Sequence, residues 1–536
     1  MSLMKAALAM ALCAAAALPA TAGVYEDRES DWRNGAVVYQ VIVDRFAPSA
    51  KLDAKRALYP APKVLRRWDE SPQRNEQVAP GTQITRHELD FWGGDLQSLR
   101  GKLDHVQGLG ADVLYLNPIH LGFTNHKYDS LDFQAVSPEY GTRADVKALA
   151  AELKRRRMKL VLDGVFNHMG RNAPAFKQAE AAYLAETAAP GAGRVAAGGS
   201  VYRDWFVFGP QFPGGARTWK GVLNLPELNL ENPAVRKHIW AAPGSVVRSY
   251  LRDGVDGWRL DTAYELGPDM LAQLTQAAHQ EKPGSLVVGE IWNHPAGWMP
   301  AMDGVMNFHL RSLLLSLVRG DIAPATAAAM LDRLVADVGV EPLLKSWLVL
   351  DNHDVKRLAD ELPDTAQRRL AQVLQFTLPG APNLYYGVEV GMAGGDDPAN
   401  RGPMRWDLVE QAHPDLAWTK QLIALHQKHR ALRVGDYRAA TAGKLLAFER
   451  HTDRAADTVL VLANPGDQPV TESVQWRNGA MMDGTTLHDL LPAPAGSARA
   501  SVYGGFVRIT LPPRSVRVLS PDTGPQGGYS VYKRVR

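Results

Sequence analysis

The chain has 536 residues, of which 46% are hydrophobic and 22% charged, the composition of a soluble globular protein. The formal net charge is +3, with Lys and Arg spread along the chain, which excludes the basic stripe of a nucleic-acid binder. The length is too great for one small core and suits an α/β barrel of about 250 residues or more with one or two smaller units.

The chain opens with Lys5, an apolar run over 6–18 and then Pro19-Ala20-Thr21-Ala22. A charged start, a short apolar stretch and an Ala-x-Ala site predict a secretory signal over 1–22, cut after Ala22. The run is shorter than the ~20 apolar residues that span a bilayer. The expectation is therefore an exported protein, periplasmic or secreted, without membrane association once the signal is removed. Cys13 is the only cysteine and lies inside the signal, so the mature chain has no disulfide, thiol nucleophile or cysteine metal site. Leu12 stands before it where a lipoprotein signal needs a small residue.

Beyond a polar stretch, eight apolar runs rich in Val, Leu and Ile read as strands: 36–46, 111–119, 159–168, 255–261, 285–292, 304–310, 346–354 and 381–390. Helical patterns lie between them, for example over 142–157 and 233–252. Strands alternating with helices predict an α/β fold, a (β/α)8 TIM barrel built from 23–168 and 233–432. The connection over 169–232 far exceeds a βα loop of about 2–6 residues and reads as an inserted subdomain after the third strand. Its Trp205, Phe206 and Trp219 fit either sugar contacts or internal packing. A second long loop covers 51–88. From 433 to 521, short alternating runs separated by turns predict an antiparallel β-sandwich. The Gly-rich, basic stretch 522–536 reads as a flexible tail.

Reacting groups of such barrels sit at the C-terminal ends of the strands, and here those ends carry acid. The third strand runs into Asp163-Gly-Val-Phe-Asn167-His168, the fourth into Trp258-Arg259-Leu260-Asp261, the fifth into Val288-Gly289-Glu290 and the seventh into Asp351-Asn352-His353-Asp354. A single Asp at a strand end is ordinarily a helix cap. Several carboxylates on one rim repel one another, and such a cluster persists for a metal or for catalysis. Two carboxyls suit glycoside hydrolysis, one protonating the leaving oxygen and the other attacking the anomeric carbon. The acid has to hold its proton near neutral pH, whereas the nucleophile gains from an adjacent cation. Arg259, two residues before Asp261, faces the same side of its strand and is placed to supply one.

These blocks, in this order, resemble those of the α-amylase family of glycosidases (glycoside hydrolase family 13), over roughly Val38 to Trp406. The resemblance implies Asp261 as nucleophile, Glu290 as general acid/base and Asp354 as the third carboxylate. It implies sugar contacts for Tyr128, His168, Arg259, Glu265, His353 and Arg401. Phe91-Trp-Gly-Gly-Asp95, His126-Lys-Tyr-Asp129, Gly289-Glu-Ile-Trp-Asn293 and Met404-Arg-Trp406 are similar to neopullulanases, cyclomaltodextrinases and maltogenic amylases. The implied activity is retaining hydrolysis of α-1,4-glucosidic bonds in maltodextrins, with starch, cyclodextrin and pullulan as related substrates. Transglycosylation from the same intermediate and a non-catalytic binding barrel are the alternatives. The dimeric members of that subgroup carry an extra N-terminal domain for which no room precedes the first strand, so the oligomeric state stays open with a monomer favoured. No cofactor is required; calcium is the one ion implied, at Asn167 or at Gly93 and Asp95.

Overall fold

The structure is a computed structural model that describes residues 23–188, 200–493, 497–525 and 527–535. The expected export signal over 1–22 lies outside the described residues.

Eight parallel strands close into a barrel in sequential order. They are β1 Val38–Val41, β2 Val113–Leu116, β3 Lys159–Gly164, β4 Gly257–Leu260, β5 Leu286–Ile291, β6 Gly304–Asn307, β7 Trp347–Val349 and β8 Ala381–Tyr385. Each lies inside one of the eight predicted runs. Side chains alternate across a strand. Val38, Val113, Tyr115, Val161, Leu286, Val288, Trp347 and Val349 therefore fill the barrel interior as one apolar cluster. Trp258, Leu160, Leu162 and Val287, of opposite parity, pack outwards into the larger core shared with the helices. Following the inward parity towards the strand C-termini brings in Gln40, Asp163, Arg259 and Glu290, all buried. The barrel is thus apolar at its base and charged at its mouth.

The helices differ in how much they bury: Thr365–Thr377 is buried all round from Leu370 onward, whereas others bury a single stripe. Arg143–Arg155 starts at a Thr142–Asp145 capping box and buries Val146, Leu149, Ala150 and Leu153. The helix expected over 233–252 is broken. Helical turns over Pro233–Arg236 and Lys237–Ala241 end before Pro243-Gly244, and a new helix starts at Val246–Arg252. Pro243 has no N–H to continue the ladder, and Gly244 adds a weak helix former at the same point.

After β3 the chain forms the helix Pro174–Ala188, short 3-10 turns, and bridges that tie His168 to Glu227 and Phe206 to Leu228. Trp205 and Phe206 are buried in the main core, which assigns both to packing.

The C-terminal part is antiparallel throughout. It comprises β9 Asp436–Ala439, β10 Leu446–His451, β11 Val459–Asn464, β12 Val470–Gln475, β13 Thr486–Asp489, β14 Ala500–Tyr503, β15 Phe506–Leu511 and β16 Ser515–Pro521. They form one sheet in the order β9-β10-β11-β16-β13-β14-β15-β12. The sheet folds over itself: Thr441, just after β9, pairs with Gln475 at the end of β12. Its inner face makes a separate core with Leu460, Trp476, Val507 and Leu519. Phe448, Val459, Val461 and Val518 on the outer face join the barrel's core. Arg450 is buried in that seam and donates to the carbonyls of Thr377 and Gly435 at 2.8 and 2.9 Å. Within the stretch expected to be a flexible tail, the Tyr532 ring is buried in the sheet's core, and its hydroxyl lies 2.5 Å from that of Thr485.

Candidate active site

Strand register brings the acids together. Leu162 pairs with Trp258 and Asp163 with Arg259 across β3 and β4, and Leu260 pairs with Gly289 across β4 and β5. One residue further on, Asp261 stands opposite Glu290. Neighbouring strands are about 4.8 Å apart, so the two residues leave the rim side by side. The glycine before Glu290 is required by packing: a Cβ at Gly289 would collide with the sulfur of Met302 and the methyl of Ala263.

Arg259 is fully buried at the centre. One guanidinium nitrogen is 2.9 Å from both Asp163 Oδ1 and Asp261 Oδ1, and the other is 2.8 Å from Glu290 Oε2. Glu290 Oε2 also accepts from the backbone N–H of Thr262 at 2.9 Å, and Oε1 accepts from the indole of Trp292 at 2.7 Å. Thr262 sits at φ +40°, in the left-handed region. A β-branched residue is strained there; the conformation aims its N–H at Glu290.

Asp354 extends the rim. His353 Nε2 is 3.2 Å from its Oδ2, and Arg401 Nη2 is 3.7 Å from its Oδ1. Arg401 also reaches Asp397 at 3.2 Å and donates to the His353 carbonyl at 2.9 Å. Tyr128 Oη donates to Asp163 at 2.9 Å and lies 2.5 Å from His353 Nε2. His168 is buried, its Nε2 has no hydrogen-bond partner among the described residues, and its ring lies 5.6 Å from that of Trp219. The site opens into a cavity of about 550 Å3 lined by Asp354, Asp396, Asp397, His126 and Asn224. A larger cavity of about 1420 Å3, with Trp68 and Trp406 in its walls, contains none of these carboxylates. Its charged rim is internally paired, Arg67 with Asp69 and Arg405 with Asp407.

Burial pushes the Asp261 carboxyl well above its usual range; Arg259 pulls it back, and Glu290, Asp163 and Asp354 push it further up. Burial likewise raises Asp163 against the pull of Arg259, and raises Asp354 against Arg401 and Arg259. Burial disfavours the charge on Arg259, but Asp163, Tyr115 and Glu290 outweigh it and hold the guanidinium protonated. Arg259 pairs with Asp261 as expected, but burial and the neighbouring carboxyls outweigh its pull, so the expected lowering of Asp261 is corrected to a rise. One cation serves three carboxyls, so protons are held by the group as a whole. Burial drives His168 down to about 3 and His353 well below the usual range, so both rings are neutral.

Among the residues expected to bind substrate, Tyr128, His168, Arg259, His353 and Arg401 gather at this mouth. Glu265 does not join the network: it is exposed on the short helix Ala263–Leu266 and makes no side-chain hydrogen bond or ion pair among the described residues. The calcium pair Gly93 and Asp95 does not fit either. Asp95 gives one carboxyl oxygen to the N–H and hydroxyl of Ser98, at 2.7 Å each, and the other to Lys55 Nζ at 2.9 Å. An ammonium thus stands where a cation would bind, and the nearby Gly93 N–H points at Asp44 Oδ1, 2.9 Å away. The Asn167 carbonyl accepts from Leu228 N at 2.9 Å. Among the described residues no group of three or more His, Cys, Asp or Glu side chains is placed to hold a metal, whereas calcium takes six to eight oxygens.

The network also contains Gln40, Asn117 and Tyr115, which the search for acids passes over. Gln40 Nε2 and Asn117 Nδ2 both point at His353 Nδ1, 3.0 and 3.1 Å away, and Tyr115 Oη donates to Asp163 at 2.6 Å. With donors on Nδ1, the proton of His353 sits on Nε2, facing Tyr128 and Asp354.

A family model described as "Alpha amylase, catalytic domain" matches residues 40–451. The chain belongs to the α-amylase family. Neopullulanase 2 of Thermoactinomyces vulgaris is 32% identical over 458 residues, 82% of this chain and 71% of that protein. A cyclomaltodextrinase of a Bacillus species is 30% identical, over 81% of this chain and 73% of that one. Among solved structures, a cyclic α-maltosyl-(1→6)-maltose hydrolase of Arthrobacter globiformis aligns with a TM-score of 0.72 at 29% identity, over 91% of this chain and all of that one. The protein is an α-amylase family glycosidase, and the carboxylates described above stand at the mouth of its family barrel.

Proposed function

We propose that the protein is a retaining hydrolase of α-1,4-linked glucans, acting on soluble maltodextrins and, among related substrates, cyclodextrins, pullulan or starch. The observation that carries this reading is the single buried guanidinium shared by Asp261 and Glu290 at the barrel mouth. It fixes two carboxyls of adjacent strands side by side at the barrel mouth, beside the cavity that Asp354 lines. In the form where the shared proton stands on Glu290 and Asp261 is the carboxylate beside Arg259, Asp261 attacks the anomeric carbon as the glycosidic C–O bond breaks, and Glu290 gives its proton to the departing oxygen. Glu290, now a carboxylate, then takes a proton from the water that attacks the glycosyl–Asp261 bond and frees Asp261. Asp354 and Arg401 orient the sugar from one side. The unpartnered Nε2 of His168 and the Nε2–H of His353 meet sugar hydroxyls, and Tyr128 stacks on the ring being cleaved. The names of the relatives support the substrate class, and the apolar start of the chain supports export.

The test incubates the purified protein with maltoheptaose, β-cyclodextrin, pullulan and starch, then identifies the products and their anomeric form. Products of retained α configuration are expected from maltoheptaose, and E290Q should lose about 10²–10⁴-fold in kcat/KM. Inverted products, or full activity in E290Q, would overturn the reading.

A further inference from the structure

Trp292 follows Glu290 by two residues, just past the end of β5. Its indole lies flat on Phe308, with ring centroids 3.9 Å apart and planes 10° from parallel. Trp292 is 43% exposed, so it lies at the surface and not within the barrel. The hydrogen bonds of Glu290 are unequal in mobility. Oε2 is held by a backbone N–H and by a fully buried guanidinium, neither of which can accept a proton or withdraw. Among the described residues, Oε1 is held by the Trp292 N–H alone. An indole only donates, so all three partners match a carboxylate and none matches a carboxylic acid.

We infer that Trp292 is a positioning residue that governs the protonation of Glu290: its indole N–H holds Oε1 in the base form and has to release that oxygen for the acid form. The proton enters on Oε1, because that side requires only a half-exposed side chain to move. The bond therefore favours the second half of the reaction, in which Glu290 activates water, and opposes the first, in which Glu290 protonates the leaving group. The inference rests on the assignment of Glu290 as acid/base. The other charged and titratable groups facing Glu290 are Arg259, Asp261 and His353 on neighbouring strands and their extensions, with Asp163 and Asp354 behind them. A change at Trp292 leaves all of these in place.

The experiment is the pH profile of kcat/KM on maltoheptaose for the wild type and W292F. Phenylalanine keeps the stack on Phe308 and removes only the N–H. The alkaline limb, set by the acid form, should move up by about 0.5–1 pH unit, since a charge-stabilising hydrogen bond is lost. The acid limb should stay in place. W292L, which also lacks the donor, should show the same displacement if W292F folds poorly. An alkaline limb unmoved in a folded variant would overturn the inference. Full turnover by E290Q, measured alongside, would instead remove the acid/base assignment beneath it. An inactive E290Q with an unmoved W292F limb therefore isolates the failure to Trp292.

Discussion

Asp351 offers a sharp test of how this barrel mouth stores electrostatic cost. It is buried, its Oδ2 accepts from Leu358 N at 2.9 Å, and burial raises its carboxyl to about 6, against Leu358, Arg357 and Arg311. The folded value lies above the unfolded one, so between the two the folded state binds more protons. Its stability therefore falls as pH climbs from about 4 to about 6 and is level above that. A rise from 3.8 to about 6 corresponds to about 3 kcal/mol in full, of which about 2 kcal/mol falls between pH 4.5 and 7.5. D351N keeps an acceptor for Leu358 and cannot ionise. Urea unfolding of both proteins at the two pH values isolates the term, because the other titrating carboxylates are common to both. The variant should gain about 2 kcal/mol on the wild type in going from pH 4.5 to 7.5. An unchanged difference between the two proteins would mean that Asp351 is ionised in the folded state at no cost, and the reasoning would be wrong.

Two further outcomes follow from the same reading. Excess EDTA should leave the melting temperature unchanged, because Lys55 occupies the Asp95 carboxylate, whereas K55M should cost about 1–2 kcal/mol in a urea melt for this mostly buried pair; a large EDTA shift would contradict the donor assignment. N-terminal sequencing of protein recovered outside the cytoplasm should begin at Gly23, and a start at Met1 would remove the export signal.

The barrel was legible because its strands are buried on both faces and read as apolar runs whatever their exact ends. The acids were legible because a carboxylate at the end of an apolar run is conspicuous. Gln40 and Asn117 were not, since a lone amide beside a four-residue strand has meaning only once inward parity is known, and register supplies that parity. The sharing of Arg259 was hidden for the same reason. Two of its three partners lie on other strands, 96 and 31 residues away in the chain. Lys55 and Asp95 meet across 40 residues of irregular loop, where no periodicity constrains the path. The break at Pro243-Gly244 was legible in principle, but the helical pattern on either side of it is strong enough to mask the pair.

The seam around Arg450 bears on how the molecule can be taken apart. Its guanidinium makes no ion pair among the described residues and leans on two peptide oxygens, one at the end of the barrel helix Thr365–Thr377 and one just before β9. Burial lowers its affinity for a proton to about 9, so the charge there is held at a cost that only close-fitting surroundings repay. Peeling the sheet away would bare the apolar flank of the barrel along with those oxygens. Chemistry and support occupy different stretches of the polypeptide, and a scissor placed between them should yield two fragments in need of each other.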